Sequence, residues 1–239
     1  MSIRKLIVVL SVLAMLLAPS TVLAGKGRGG PSASAESGIS CGLPESNADA
    51  LVILSNYYPG YWWDHTDLTI AVQAHPRVSA AHLAAVHDAI AVWTATLADC
   101  FDGLITLTDI GDSRLGADIV VHYNPTSGGA VFGGYAICGA NHCPNIIVRS
   151  DLPPSFGADQ YTPEYLGWVT LHEVGHALGL GHATNLLEST DLMGYGWPDL
   201  GDPVLSDCDV DALAFVFAWA LEGSDPHPPA EGPYDCSTD

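Results

Sequence analysis

The sequence predicts an α+β domain, and three observations carry that prediction. Residues 79–99 hold one apolar stripe at helical spacing. Short β-branched runs lie before and after it, separated by glycine and aspartate turns. A second helix opens at Thr162-Pro163-Glu164 and runs into a dense group of histidines. The chain has 239 residues, enough for one ordinary domain with a real core.

Residues 1–24 have the pattern of a secretory signal: Arg4 and Lys5, an apolar run over 6–18, and Val22-Leu23-Ala24 before Gly25. That apolar run is short for a membrane span. The exported chain is therefore expected to be soluble, extracellular and without stable membrane association once the signal is removed. The whole chain carries a formal charge of −20. Without the signal, five basic residues face 27 acidic ones, a charge of −22. So acidic a surface argues against nucleic acid and anionic lipid as partners. The six cysteines, Cys41, Cys100, Cys138, Cys143, Cys208 and Cys236, all fall in the exported part and suggest disulfides. Cys138 and Cys143 are close enough to close a small loop; no C-x-x-C pair points to a cysteine metal site.

Taken in order, residues 25–50 read as a flexible leader or short propeptide, with Gly, Ser and Ala dominating 25–40. The aromatic group Tyr57, Tyr58, Tyr61, Trp62 and Trp63 is expected to pack onto the domain. Residues 67–73 alternate and are β-branched, a first strand. The helix over 79–99 has Ser79 as N-cap and Leu83, Val86, Ile90, Trp93 and Leu97 on its inner stripe. His82 and His87 on that helix are read as surface or packing residues. Strands are predicted at 104–108, 117–123 and 145–149. Asp102, Asp109, Asp112 and Asp118 fall in or beside the turns; ordinary turn aspartates explain them, and a Ca²⁺ site is the other reading. Residues 127–143 are glycine-rich, and 153–161 form a loop. Thr162 caps the second helix, Pro163 takes its first position, and Tyr165, Leu166, Val169, Val174, Ala177 and Leu178 pack inward. Ser206 caps a last helix carrying Val210, Leu213, Ala214, Phe217 and Leu221, with Asp209 at its third position. Residues 223–239 are a Pro-rich acidic tail that Cys236 can tie down.

The chemistry is concentrated in His172-Glu173-Val174-Gly175-His176-Ala177-Leu178-Gly179-Leu180-Gly181-His182. Residues i and i+4 share a helix face, so His172 and His176 can address one metal ion. Glu173 sits one step round, within reach of a water at that ion. Gly179 can end the helix in a left-handed conformation and let the chain bring His182 back. Three neutral imidazoles leave a fourth position open on tetrahedral Zn²⁺, the mark of a catalytic site.

This H-E-x-x-H-x-x-G-x-x-H run resembles the zinc signature of metzincin peptidases. Upstream, Ala89-Ile90, Trp93, Phe101 and Gly116-Ala117-Asp118-Ile119 resemble the first helix and following strands of matrixin catalytic domains, so the resemblance covers about residues 60–221. It implies a metzincin (zincin-like) catalytic domain over 51–222: a twisted mixed sheet, two long helices including the active-site helix, a Met-turn and a C-terminal helix. Asp191-Leu192-Met193-Gly194-Tyr195-Gly196 resembles the Met-turn, with Met193 beneath the metal. Tyr195 stands where astacins and serralysins carry a tyrosine that stabilises the oxyanion; matrixins lack it there. The stretch 128–137 is the candidate edge strand for pairing with extended substrate. Cys41-Gly42-Leu43-Pro44 is similar to the inner part of the matrixin cysteine switch; a disulfide also explains Cys41. The histidine pattern of the second, structural zinc of matrixins is incomplete, with only His122 and His142 in that region, and no such site is expected.

The expected function is that of a secreted, monomeric zinc endopeptidase acting on protein or peptide substrates. Glu173 serves as general base, His172, His176 and His182 hold zinc, and Tyr195 assists. Loops 183–190 and 193–198 would shape specificity. The competing reading is a secreted zinc-containing binding or adhesive protein with little catalysis. The intact Glu173 speaks against it, because a purely structural site has no need of that carboxylate.

Overall fold

The computed structural model describes residues 41–54, 62–124, 134–137, 144–149, 162–194, 205–230 and 233–236, all within one compact unit, Ser37–Asp239. The signal, the segment 25–40, Tyr57, Tyr58, Tyr61, Cys138, His142, Cys143, loop 153–161 and residues 195–198 with Tyr195 lie outside the described residues.

Five strands build one mixed sheet: β2 (Asp67–Ala74), β3 (Thr106–Asp109), β4 (Ile119–Asn124), β5 (Gly134–Ile137) and β6 (Asn145–Arg149). Their order is β3-β2-β4-β6-β5. The first four in that order run parallel, with Ile70 opposite Ile119 and Val72 opposite Val121. Only β5 is antiparallel, on the outer edge, with Ala136 opposite Ile146. Ile70, Val72, Ile119, Val121, Ile146 and Val148 are buried, as strands covered by helices require.

Two strands begin about two residues later than their hydrophobic pattern suggests, and the turn before each explains it. The helix α1 (Ala80–Cys100) ends through left-handed residues at Asp102 (φ 50°) and Gly103 (φ 73°), which use up the chain to Ile105 and leave Leu104 exposed. Before β4, Gly116 turns at φ 83°, and Asp118 meets Thr69 of β2 through its N–H, which donates to the Thr69 carbonyl at 3.1 Å, and its carboxylate, which accepts from the Thr69 N–H at 2.8 Å.

The helices follow their sequence signals. Ser79 Oγ accepts from the His82 N–H at 3.2 Å, and the inner face of α1 buries Val86, Ala89, Ile90, Trp93 and Leu97. Full burial of side chains of this kind contributes about 1.5–3 kcal/mol each. The helix α2 (Pro163–Leu178) packs on α1, where the Trp93 indole N–H donates to the Leu171 carbonyl at 2.8 Å. Trp63, from the aromatic group, is buried, and its indole N–H donates to the Ala177 carbonyl at 2.8 Å. The last long helix, α3 (Asp207–Val216), opens with a capping box in which Ser206 and Asp209 bond reciprocally.

A second sheet has no counterpart among the sequence expectations. It orders β7 (Leu180–Ala183), β1 (Ala50–Ile53) and β8 (Tyr234–Asp235) side by side, all antiparallel, with β1 in the middle. Residues 41–50, grouped with the leader by composition, are tied to the domain. Cys41 is bonded to Cys100 with Cα atoms 5.1 Å apart, so it has no thiol to act as a latency switch. The Ser46 N–H donates to Asp207 Oδ1 at 2.8 Å, and Ala48 is buried. At the other end, Cys236 is bonded to Cys208, and β8 fixes the tail against β1. No described cysteine is free. Among the described residues no helix is long and apolar enough to cross a membrane.

Candidate metal centre

Helix α2 is anchored at both ends by its own sequence. Thr162 Oγ1 accepts from the Tyr165 N–H at 3.1 Å, and Pro163 follows at the first turn. At the other end Gly179 takes φ 117°, and its N–H returns to the Gly175 and His176 carbonyls. His172 and His176 project from one face, a turn apart. The left-handed turn at Gly179 then sends the chain into β7, which pairs with β1 at Ile53–Leu180 and Leu51–Ala183. That pairing delivers His182, whose Nε2 lies 3.1 Å from His176 Nε2.

The candidate ligand atoms of His172, His176 and His182 all lie within 4.8 Å of one another, and no other such group occurs among the described residues. Two imidazoles are oriented by carbonyl oxygens: His172 Nδ1 faces Leu192 at 2.6 Å and His176 Nδ1 faces Leu180 at 2.7 Å. A carbonyl only accepts, so each Nδ1 carries the hydrogen and each Nε2 presents its lone pair. Burial keeps the rings neutral. It lowers His172 to about 4 against the bonding to Leu192, holds His176 well below the usual histidine range, and lowers His182 as well. Neutral imidazoles are what a metal ion needs. The fit to zinc is also metrical: Zn–N bonds of about 2.0–2.1 Å in a tetrahedron set neighbouring nitrogens about 3.3 Å apart, close to the 3.1 Å between His176 and His182.

Glu173 follows His172 on α2. It is buried, and burial pushes its carboxyl up to about 8 against the opposing effect of a hydrogen bond from the Ala136 backbone in β5. Its Oε2 is enclosed and has no hydrogen-bond partner among the described residues. Met193 is fully buried below α2. A Cβ on Gly175 would come within 2.6 Å of Met193 Sδ, so the glycine is what allows the methionine so close. The Ala183 N–H donates to the Met193 carbonyl at 3.0 Å and closes the loop between them.

The remaining expectations divide. The aspartates offered as a Ca²⁺ site do not gather. Asp118 Oδ2 is spent on the Thr69 N–H and hydroxyl, at 2.8 and 2.6 Å. Asp109 Oδ1 accepts from the Gly111 N–H at 2.8 Å, and its other oxygen faces His87. His122 pairs its Nε2 with Asn145 Oδ1 at 3.0 Å, across β4 and β6. Tyr195 lies outside the described residues. Asn47 had no local signal, whereas Asp191 and Asp209 stand in the turn and the helix start read from the sequence. Asp191 and Asp209 are buried behind the Met193 turn, and Asn47 bonds the loop ahead of it. The partners of Asn47 lie 138 to 144 residues away in sequence, so no window of residues could have revealed it.

No family model matches the chain, and no curated protein matches it. Among solved structures it resembles high choriolytic enzyme 1, a hatching-enzyme zinc protease of the medaka fish Oryzias latipes. The TM-score is 0.32 at 16% identity, over 56% of this chain and 54% of that one. It also resembles a chain from a chaperone–substrate complex, with a TM-score of 0.40 at 17% identity, over 69% of this chain and 36% of the other. The chain thus spans about half the length of the first and about a third of the second. Likenesses at this level do not bear on the assignment, which rests on the chain's own residues. Those residues define an α+β protein with a three-histidine cluster able to hold a metal ion.

Proposed function

We propose that the chain is a secreted zinc endopeptidase of the metzincin type, acting as a monomer on protein or peptide substrates. The observation that carries this reading is the convergence of His172, His176 and His182, with the buried Glu173 directly after His172 on the same helix. A structural metal site would gain nothing from an enclosed carboxyl with an oxygen that has no hydrogen-bond partner among the described residues. The two disulfides among the described residues fit an oxidising, extracellular compartment.

His172, His176 and His182 would hold the zinc ion through their Nε2 atoms. When bound, zinc supplies Lewis acidity toward a carbonyl and brings the pKa of water toward neutrality. Glu173 does the proton transfer: it takes the proton of the attacking water and returns it to the departing amine. Its environment suits both halves, because burial favours the protonated carboxyl and a nearby cation favours the carboxylate. Strand β5 presents an outer edge beside Glu173, where an extended peptide can add as a further strand. Tyr195 is proposed as an additional donor to the tetrahedral oxygen, following the resemblance of its turn.

The test is cleavage of an unfolded protein by the exported chain, with and without a zinc chelator, beside Glu173→Ala. The expected outcome is chelator-sensitive cleavage that falls about 10²–10⁴-fold in the variant while zinc stays bound. Full turnover by Glu173→Ala would remove the general base from the scheme. A folded, zinc-loaded chain without cleavage would favour a binding protein.

A further inference from the structure

The segment just before β1 carries one residue with an unusual set of bonds. Among the described residues Asn47 makes six hydrogen bonds, all to residues 185–191, the loop that joins His182 to Met193. Its side-chain oxygen accepts from the Thr190 N–H at 2.9 Å, and from the Ser189 and Thr190 hydroxyls at 3.2 Å each. Its Nδ2 donates to the Glu188 carbonyl at 3.2 Å. Its backbone N–H donates to Asp191 Oδ2 at 3.1 Å, and its carbonyl accepts from Asn185 Nδ2 at 3.0 Å. One residue thus holds the loop along most of its length.

Both ends of that loop reach the three-histidine cluster. At one end His182 itself belongs to β7. At the other, the Leu192 carbonyl fixes the ring of His172. The loop has little hydrophobic anchorage of its own: Leu186 is half-buried and Leu187 is 75% exposed. Hydrogen bonds must therefore set its position. Asn47 is in turn firmly placed. Cys41 is bonded to Cys100, Ser46 and Pro44 bond with Asp207 at the start of α3, and β1 follows three residues on.

We propose that Asn47 is a positioning residue for the metal cluster, holding loop 185–191 so that His182 and the Leu192 carbonyl stand where the metal site needs them. The proposal rests on the metal-site reading above, and the experiment separates the two. Zinc affinity is measured on the full exported chain by competition with a fluorescent chelator, for the native chain and for Asn47→Ala. Amide hydrogen exchange is followed in the metal-free protein.

The expected result is a zinc dissociation constant raised about tenfold in Asn47→Ala. Exchange at the Thr190 amide should speed up by about tenfold or more, while the amides of α2 keep their protection. Unchanged zinc affinity with unchanged Thr190 exchange would overturn the proposal. So would a loss of zinc affinity accompanied by equal loosening of α2, which would mark a general effect on stability. If Asn47→Ala does not fold, Thr190→Val removes one hydroxyl donor and leaves the Thr190 N–H bond. It is expected to weaken zinc roughly two- to threefold, and no change there would count against the proposal. A native chain that binds no zinc would overturn the metal-site reading itself, and Thr190 exchange would still decide whether Asn47 holds the loop.

Discussion

The three histidines are identical as residues and differ in how each is held. His172 and His176 are turned by the carbonyls of Leu192 and Leu180, and His182 is brought in by β7. Gly181, its neighbour, is the point where β7 comes closest to β1. A Cβ there would lie 2.7 Å from the Val52 carbonyl oxygen and 2.9 Å from Val52 Cβ. Backbone cannot yield as a side-chain end can, so Gly181→Ala must push β7 away from β1. The expected cost is about 1–3 kcal/mol, read as a shift of the urea midpoint, with weaker zinc binding beside it. Gly111→Ala is the comparison. It is strained at φ 81° but faces open space far along the chain, and it should leave zinc affinity unchanged. Equal zinc affinities for the two variants would show that the β1–β7 approach does not place His182.

At the scale of elements, α3 bears on the metal region through Asp209. Burial pushes its carboxyl up to about 7, with neighbouring Asp191 adding to the rise and bonds from Ser206 and Leu192 opposing it. Its folded pKa is thus above its unfolded value of 3.8. Between those values the folded protein keeps a proton that the unfolded chain releases. Asp209 therefore costs no stability below about pH 4 and progressively more as the pH rises to about 7, by at most about 1.4 kcal/mol per pH unit. The buried histidines work the other way, since the unfolded chain takes up protons first as the pH falls below 6.5. The effect of Asp209 is isolated in the difference between Asp209→Asn and the native chain. The thermal midpoint of the metal-free variant, measured relative to the native, should rise from pH 4 to 7. A constant difference would mean that Asp209 is ionised in the fold.

Legibility also follows this scale. Helices α1, α2 and α3 were readable because their caps and stripes are local: Ser79, Thr162 and Ser206 each bond three residues on. The convergence of the histidines was readable for the same reason, since helix pitch and one left-handed glycine fix most of it. Strands β1, β7 and β8 were not readable. They have two to four residues each, and their partners lie more than a hundred residues away. In β7 the residues Leu180-Gly181-His182-Ala183 carry the motif, which says what they bind and nothing of the strand they join. Asn47 shows the same limit for a single side chain.

For the whole described unit, β1 is the strand on which the last strand, β8, and the motif strand, β7, both pair. Two disulfides secure that pairing, Cys41–Cys100 ahead of β1 and Cys208–Cys236 behind β8. The first closes a separation of 59 residues and the second one of 28. Each limits the unfolded ensemble, so Cys41→Ser with Cys100→Ser, or Cys208→Ser with Cys236→Ser, should cost about 2–4 kcal/mol in chemical denaturation. Loop length alone makes the first pair the more costly, by roughly 0.7 kcal/mol. Their effects on the metal site should differ in kind. Loss of Cys41–Cys100 loosens the segment that carries Asn47, whereas loss of Cys208–Cys236 loosens β8, which touches β1 on the side away from β7. Zinc affinity should therefore fall in the first pair and hold in the second, under conditions where both remain folded. Equal zinc affinity in the two would mean that β1 alone, without the segment ahead of it, places the third histidine.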